Sequence, residues 1–543
     1  MYERLNRVEQ ILFDALSVFL VLFYSYSAVL EPAATQYHRG VYVIVTYVLA
    51  FLLYRSKTPP GRVVDYVLIV LSIVTIGYWI LNFEVINYRA GAETTLDKTI
   101  AVVGVLIGIE LARRVVGNIF VIIGCIMLLY GAYGEYAPEL ISHAGDTFPE
   151  LCTSIFYKSD GVFGIMANVL ATYVVLFVIF GAFLEKCGAY RFFINWPMAA
   201  VGHKVGGPGK VAVIASGLFG SISGSAIANV VSTGAFTIPL MKKAGFRPHV
   251  AGGIEPAASI GGMFMPPIMG AGGFIMAELT GLPYSQIMLV AIFPAFMYFF
   301  SVFVMVHYEA KKHNIVGEKT AESAKEIFRR EWFYLLPLIV ITIFMLAGYS
   351  PGYSAILGVV SCIVVSWFRK DTRIGPKQFL EASRTGAGNS LKIGATLGVI
   401  GIIIGVLTYS GLVLTFADIV IELADGKLFL TIALIALASL VLGMGVPVTA
   451  AYLITAVVAV PALTHLGVNP LAAHMIVYWL SQDSNITPPV CIAAFAGATI
   501  AKANMWKTAF TSFKFAKFLY LAPFLFGYVP GFSLDGSATD IIV

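Results

Sequence analysis

Apolar positions in this chain fall into long unbroken runs, without the one-faced or alternating patterns of a half-buried helix or strand. Runs near 11–30, 41–55, 65–81, 98–113 and 117–134 approach the roughly 20 residues needed to cross a hydrocarbon core of about 30 Å. They predict a first helical module. A polar stretch from Glu135 to Asp160 follows, then spans near 162–185, 284–306, 333–347, 352–368, 390–410 and 508–526. Two regions, 207–279 and 427–500, break that second series with Gly, Ser and Pro. The pattern predicts an all-α polytopic membrane protein, with a helical module at 1–140 and a larger one at 141–543.

The larger module is duplicated. Pro239 and Pro461, Gly245 and Gly467, Pro248 and Pro470, and Pro267 and Pro489 are each 222 residues apart, so Gly220 to Pro267 overlays Leu442 to Pro489 without a gap. Each copy has a Gly- or Ser-rich break between apolar segments, a turn, and a second apolar segment broken before a Pro-Pro pair. The first reads GSISGSAIANVVSTG with GGMFMPP, the second LGMGVPVTAAYLITA with DSNITPP. The repeats span 162–310 and 333–526. Interrupted hydrophobic segments at corresponding places in two halves mark the binding region of secondary transporters.

Composition agrees with the pattern: 59% of residues are hydrophobic and 12% charged, against about 25% charged in soluble domains. Lys and Arg collect in short loops, which marks the cytoplasmic side. These are Arg55, Lys57 and Arg62; Arg113 and Arg114; Lys186, Arg191, Lys204 and Lys210; Lys242, Lys243 and Arg247; Lys311 to Arg330; Arg369 to Arg384; and Lys502 to Lys517. Acidic loops carry Glu135, Glu139, Asp146 and Glu150, and Asp418, Glu422 and Asp425. The alternation is consistent only if 207–241 and 427–463 are re-entrant hairpins, the first entering from the cytoplasm and the second from outside. The repeats are then inverted, the N-terminus lies inside, and the C-terminal tail with Asp535 and Asp540 lies outside. MYERLNRVEQ leads into a long apolar span without a cleavage site, which predicts a retained first helix. These loops account for the net charge of +5, which implies no nucleic-acid partner. The five cysteines have no CxxC or metal spacing and read as small packing residues.

Irregular backbone at membrane depth exposes polar groups, which is tolerated only inside protein or beside a polar cavity. In the first repeat, Ser221, Ser223, Gly224 and Ser225 face a second break where Gly261, Gly262 and Met265 precede Pro266 and Pro267. In the second, Gly443, Gly445, Val446, Pro447 and Thr449 form the tip, and Asp483, Ser484, Asn485 and Thr487 the facing break. Hydroxyls, carbonyls and at most one carboxylate suit a hard cation such as Na⁺. Helix N-termini after the breaks favour an anion, placing substrate near Ser225, Asn229, Thr449 and Asn485. Asp483 and Glu255 are proton-coupling candidates, since ionisable residues inside spans are costly; for Glu255 a satisfied structural carboxylate is the equal alternative. His474 reads as a packing residue, and Glu110 as a local ion-pair partner of Arg113 and Arg114. Small residues at the breaks also suit close helix packing, but packing does not explain polar clusters with Pro-Pro after each.

GSISGSAIANVVSTGAFTIPLMKKAGF, MFMPPIMGA and NITPPV resemble the large membrane subunit of tripartite ATP-independent periplasmic (TRAP) transporters. The resemblance runs from about Gly161 to the last span. The preceding helices resemble the small membrane subunit fused at the N-terminus, as in permeases serving TAXI-type binding proteins. It implies elevator-type secondary uptake of a small organic anion, of the dicarboxylate or keto acid class, across a bacterial or archaeal inner membrane. A cation gradient drives it and a soluble periplasmic binding protein delivers the substrate. No cofactor is implied beyond Na⁺ or H⁺ as coupling ion, and no metal beyond transported Na⁺. By position, Ser221 to Ser225 with Gly261 to Met265 would form one sodium site, and Gly443 to Thr449 with Asp483 to Thr487 the other. Asp483 departs from the neutral oxygens more usual in the family, which leaves Na⁺ and H⁺ both open, and no Arg stands at either break.

A divalent-anion:sodium-type carrier working without a binding protein shares the hairpin fold and is the alternative within the transporter class. An enzyme is disfavoured because no HExxH, nucleophile–base pair or metal cluster is present. A passive channel would need one continuous polar path. Without a GxxxxGK[ST] loop, direct ATP use is not expected.

Overall fold

The computed structural model describes residues 2–56 and 58–536. Lys57 and Asp540, used above for orientation, lie outside the described residues. The fold is helical, and among the described residues a single isolated bridge between Val205 and Val316 is the only β pairing.

The first module holds α1 (Arg7–Val29), α2 (Thr35–Leu53), α3 (Pro59–Leu81), α4 (Phe83–Tyr88), α5 (Thr95–Val115) and α6 (Asn118–Ala132). Then come α7 (Phe148–Tyr157), α8 (Ile165–Val169), a π-helical turn at Leu170–Val174, α9 (Val175–Lys186) and α10 (Ala189–Val201). The first repeat continues with α11 (Gly207–Ser223), α12 (Ala226–Lys243), α13 (Pro248–Gly261), α14 (Gly270–Thr280) and α15 (Tyr284–Lys312). Next are α16 (Ala324–Glu331), α17 (Leu336–Leu346), α18 (Pro351–Ser366), α19 (Pro376–Gly394), α20 (Leu397–Tyr409) and α21 (Leu412–Leu423). Last come α22 (Leu428–Leu442), α23 (Val448–His465), α24 (Pro470–Leu480), α25 (Ile492–Ala501), α26 (Met505–Phe515) and α27 (Lys517–Tyr528).

Local chemistry sets the ends. Asn6 with Glu9, Thr94 with Asp97, and Ser323 with Glu326 form reciprocal capping boxes at α1, α5 and α16, satisfying orphan N–H groups. The spacing of 222 reappears at the level of elements: α12 and α23, α13 and α24, and α14 and α25 begin at Ala226 and Val448, Pro248 and Pro470, and Gly270 and Ile492. Gly245 and Gly467 both take positive φ after the matching helices, and Pro266–Pro267 and Pro488–Pro489 are both cis.

The chain forms two compact units. The first comprises Met1–Ile179, Pro376–Glu422 and Gly445–Pro461; the second comprises Phe180–Gly375, Leu423–Met444 and Ala462–Val543. Module 1–140 therefore lies wholly in the first unit. There α19 and α20 pack against α1, α2, α5, α6 and α7. Gly108 and Gly398 bring α5 and α20 together so closely that a Cβ on Gly398 would lie 2.6 Å from the Gly108 Cα. Arg384 on α19 holds Asp14 on α1 through two hydrogen bonds of 2.7 Å. In the second unit α13 is surrounded by α11, α12, α15, α25 and α26, and Trp479 stacks on Phe264 at 4.0 Å.

Among the described residues, six helical stretches are long and apolar enough to cross a membrane: Arg7–Val29, Pro59–Leu81, Ile165–Lys186, Tyr284–Lys312, Pro376–Tyr409 and Val448–His465. Val63, Val70, Ile122, Ile126, Phe293, Phe296 and Ile343 are each more than half exposed. Outward apolar faces of this extent suit hydrocarbon.

Several expectations change. The stretch from Glu135 to Asp160 is not only a connector, because α7 lies within it and buries Leu151, Ile155 and Phe156. The span near 162–185 carries the π turn. The span near 390–410 is two helices, and the first begins at Pro376, so Lys377 and Arg384 stand on α19 and not in a loop. Lys507 and Lys514 likewise stand on α26, whose break from α27 at Ala516 divides the span near 508–526. The arms of the first hairpin, α11 and α12, pack along each other. Those of the second belong to different units, α22 to the second and α23 as far as Pro461 to the first.

Candidate cation and substrate site

The first break is built by glycine. Gly224 takes φ 63°, a left-handed conformation that costs an L side chain energy, and the chain turns there from α11 into α12. Ser225 then caps α12 by accepting from the Ala228 N–H at 3.3 Å, while the Ser223 hydroxyl donates to the Ser225 carbonyl at 3.2 Å. The Ser221 hydroxyl is turned back onto the Leu218 carbonyl at 2.8 Å. Asn229, wholly buried in the first turn of α12, donates to the Ser216 carbonyl at 3.0 Å, and its Oδ1 meets no donor.

The facing break follows α13. A Cβ on Gly262 would lie 2.3 Å from the Gly220 Cα, so the two backbones touch where the hairpin meets the break. The carbonyls of Gly261 and Gly262 accept from the N–H groups of Phe264 and Met265 at 3.1 and 3.3 Å. Each thus keeps one lone pair, not the two of a fully exposed carbonyl. The Met265 carbonyl accepts from the Met269 N–H at 3.3 Å. Two tyrosines that the sequence did not single out serve the remaining backbone. The Tyr478 hydroxyl lies 2.8 Å from the Met263 carbonyl and 2.5 Å from that of Met269. The Tyr284 hydroxyl lies 2.9 and 2.5 Å from the carbonyls of Pro267 and Ile268. Tyr478 reaches across from the second repeat.

In the second repeat the chain leaves α24 through a 3-10 turn at Asp483–Asn485. Asp483, Ser484 and Asn485 are all buried, and Asp483 Oδ1 has no partner. Gln482 beside it is wholly buried with both amide heteroatoms unpartnered. Sequence reasoning missed this residue, although an amide next to Asp483 in a polar run was a usable signal. Ser439, on α22 one turn before the tip, also has a buried hydroxyl without a partner. Gly443 lies against Ser484, whose Oγ would be 2.5 Å from a Cβ there. The Thr487 hydroxyl bonds that of Tyr520 at 2.6 Å. Within the second unit the structure thus brings together Gly443, Asp483, Ser484, Asn485 and Thr487; Gly445, with φ 81°, and Thr449 belong to the first unit.

Glu255 is buried at the centre of the first repeat. Ser216 from α11 and Thr233 and Thr237 from α12 all donate hydroxyls to it, so one carboxylate ties both arms of the hairpin to α13. Glu110 pairs with Arg113 and Arg114, the local ion pair expected of it.

Buried polar atoms in native proteins are nearly always hydrogen-bonded. Among the described residues Asn229 Oδ1, Ser259 Oγ, Ser439 Oγ, the Gln482 amide and Asp483 Oδ1 are not, and these lie on the elements of the two repeat-related breaks; Thr455 Oγ1 on α23, and Thr46 Oγ1 and Arg89 Nε in the first module, are unpartnered as well. As hydroxyl, amide and carboxylate oxygens those at the breaks are the donor set for a small hard cation.

The family described as "Tripartite ATP-independent periplasmic transporter, DctM component" matches residues 103–532. A putative TRAP transporter large permease protein of Haemophilus influenzae is 26% identical over 320 residues, 58% of this chain and 74% of the relative. The 2,3-diketo-L-gulonate TRAP transporter large permease protein of Escherichia coli is 24% identical over 360 residues, 65% and 83% of the two chains. The C4-dicarboxylate TRAP transporter large permease protein of Pseudomonas aeruginosa is 24% identical over 406 residues, 70% and 91% of the two chains.

Proposed function

The chain belongs to the DctM component family of tripartite ATP-independent periplasmic transporters, and from that premise we propose that it imports a small organic anion by symport with Na⁺ or H⁺. The observation that carries this reading is the set of unpartnered buried oxygens at the two breaks. A protein keeps such groups at a cost that a passing ion would offset. The first site would draw on Ser221, Ser223, Gly261 and Met265 with the orphan oxygens of Asn229 and Ser259. Within the second unit, the second would draw on Gly443, Ser484 and Thr487 with Gln482 and Asp483. Asp483 supplies a negative charge there, and would either ligate Na⁺ or carry the proton.

Within the second unit, the substrate would lie by Ser225, Asn229 and Asn485, held by hydroxyls, amides and the N-terminal end of α12. The names of the diketogulonate and C4-dicarboxylate relatives support a keto acid or dicarboxylate. A soluble periplasmic protein would deliver it, and residues 1–140 would act as a fused small subunit of the TAXI-type permeases. The broken segments would carry substrate across the inner membrane by an elevator movement. The N-terminus would be cytoplasmic and the C-terminus periplasmic.

The test is uptake of labelled dicarboxylates and keto acids into proteoliposomes with a cognate binding protein, with sodium and pH gradients imposed separately. Sodium-driven uptake supports the two oxygen-lined sites. Uptake driven only by the pH gradient and lost in Asp483→Asn assigns the proton to Asp483. Uptake indifferent to both gradients would refute symport.

A further inference from the structure

The first unit contains a cavity of about 600 Å³ lined by Arg4, Leu53, Tyr54, Arg55, Ser56, Arg62, Arg113 and Arg114. It sits where the start of α1, the end of α2, the start of α3 and the end of α5 meet. Three carboxylates hold part of this charge. Glu9 pairs with Arg55 at 3.1 Å, Asp65 with Arg114, and Glu110 with Arg114 and Arg113 at 2.6 and 2.7 Å. Their capacity is largely spent: Glu9 also accepts from the Tyr66 hydroxyl and the Asn6 N–H, and Asp65 from the Ser56 N–H. Arg4 and Arg62 make no ion pair among the described residues. Five guanidiniums against three carboxylates leave two positive charges uncompensated around one concave space.

We propose that this cavity binds a phosphate group, supplied by an anionic phospholipid of the surrounding leaflet. Guanidinium forks match phosphate oxygens bidentately, and a basic pocket among transmembrane helix ends is the recurrent form of a lipid-headgroup site. The surface beside it suits acyl chains: Val63, Val64 and Val67 follow Arg62 on α3 and are exposed, as are Val8 and Ile11 on α1. Tyr54 and Leu53 supply apolar wall. The topology proposed above puts this end of the module at the cytoplasmic leaflet.

The purified full-length protein, stripped of lipid in detergent, is titrated with short-chain phosphatidylglycerol, short-chain phosphatidylcholine and inorganic phosphate, and bound adducts are read by native mass spectrometry. Phosphatidylglycerol is expected to bind in preference to phosphatidylcholine. Each arginine removed should weaken binding about five-fold, so Arg4→Gln with Arg62→Gln weakens it roughly thirty-fold. Neither residue holds an ion pair, so folding is not at stake; the single variant Arg62→Glu, which reverses one charge, should abolish the adduct by itself. Resistance of the adduct to millimolar inorganic phosphate assigns the site to the lipid, whereas displacement would reassign it to free phosphate. Equal binding of the two lipids, or phosphatidylglycerol binding unchanged in both variants, overturns the proposal.

Discussion

A carboxylate buried in a membrane protein persists when donors surround it or a proton neutralises it. Glu255 has three hydroxyl donors, whereas Asp483 has one oxygen with none. Loss of charge should therefore separate them. In Glu255→Gln the hydroxyls of Ser216, Thr233 and Thr237 can turn to accept as well as donate, so uptake is expected to persist. Glu255→Ala removes their common acceptor and should cost on the order of 2 kcal/mol, read as a lower thermal midpoint in detergent. Asp483→Asn should leave that midpoint intact and stop ion-coupled uptake. Loss of uptake in Glu255→Gln with retention in Asp483→Asn would reverse these roles. Glycine offers a second contrast. Gly262 has an ordinary helical φ of −59°, so Gly262→Ala is opposed by the facing backbone, where the Gly220 Cα would lie 2.3 Å from the new Cβ. A cost of about 1–3 kcal/mol is expected, whereas Gly388→Ala, with nothing within 4 Å on α19, should be neutral or gain up to about 1 kcal/mol. Thermal unfolding of both variants checks this. Ser225, Asn229 and Asp483 were legible in the sequence because polar residues inside apolar runs are conspicuous. Tyr478 and Tyr284 were not, since a tyrosine in such a run looks like packing until the carbonyl its hydroxyl meets is known.

At the scale of elements, a break at membrane depth survives only if its carbonyls find donors. The Tyr478 hydroxyl shares its one proton between the carbonyls of Met263 and Met269, and Gly272 makes room for its ring, which would lie 2.1 Å from a Cβ there. Tyr478→Phe keeps the ring and removes the hydroxyl, leaving these buried carbonyls short of a donor at a cost of roughly 1–3 kcal/mol. The loss should appear as faster amide hydrogen exchange confined to residues 263–272, with α24 unchanged. Uniform protection across both segments would mean that the break is held by its own backbone turns. The repeat itself was legible because Pro and Gly punctuate it at a fixed spacing, and these residues set where α12, α13 and α14 and their counterparts begin. The helix α7 was not, because ten residues among acidic neighbours are too short to read as a span. The early start of α19 was hidden because Lys377 and Arg384 look like loop charges, yet Arg384 reaches Asp14 from a helix.

For the whole molecule, the inverted arrangement depends on which side each loop faces, and charge is the sequence signal for that. The structure weakens part of the signal, since Lys377, Arg384, Lys507 and Lys514 stand on helices. What remains between the helices is Arg55, Lys204, Arg247, Arg369, Arg373 and Lys502, with Lys319 in the segment that leads to α16, against the loop from Glu135 to Asp146 and the segment at Asp535. Cysteine labelling reads this directly. Of the native cysteines, Cys152, Cys187, Cys362 and Cys491 are buried and Cys125 is partly so, which keeps background reaction low once Cys125 is replaced by Ser. A membrane-impermeant maleimide applied to intact cells should modify Ser142→Cys and Asp535→Cys, both at exposed positions. Glu318→Cys should react only after permeabilisation. The inversion itself is read at the feet of the two hairpins, where Lys204 and Lys243 flank α11 and α12, Lys427 and His465 flank α22 and α23, and all four are exposed. Lys243 and His465 stand at equivalent places, one repeat spacing apart. A hairpin returns to the side it left, so Lys204→Cys and Lys243→Cys should react together, only after permeabilisation, and Lys427→Cys and His465→Cys together in intact cells. Opposite labelling within either pair would turn that hairpin into an odd number of crossings. Labelling of Lys243→Cys and His465→Cys from one side would make the repeats parallel, and the two facing breaks would then open toward the same compartment.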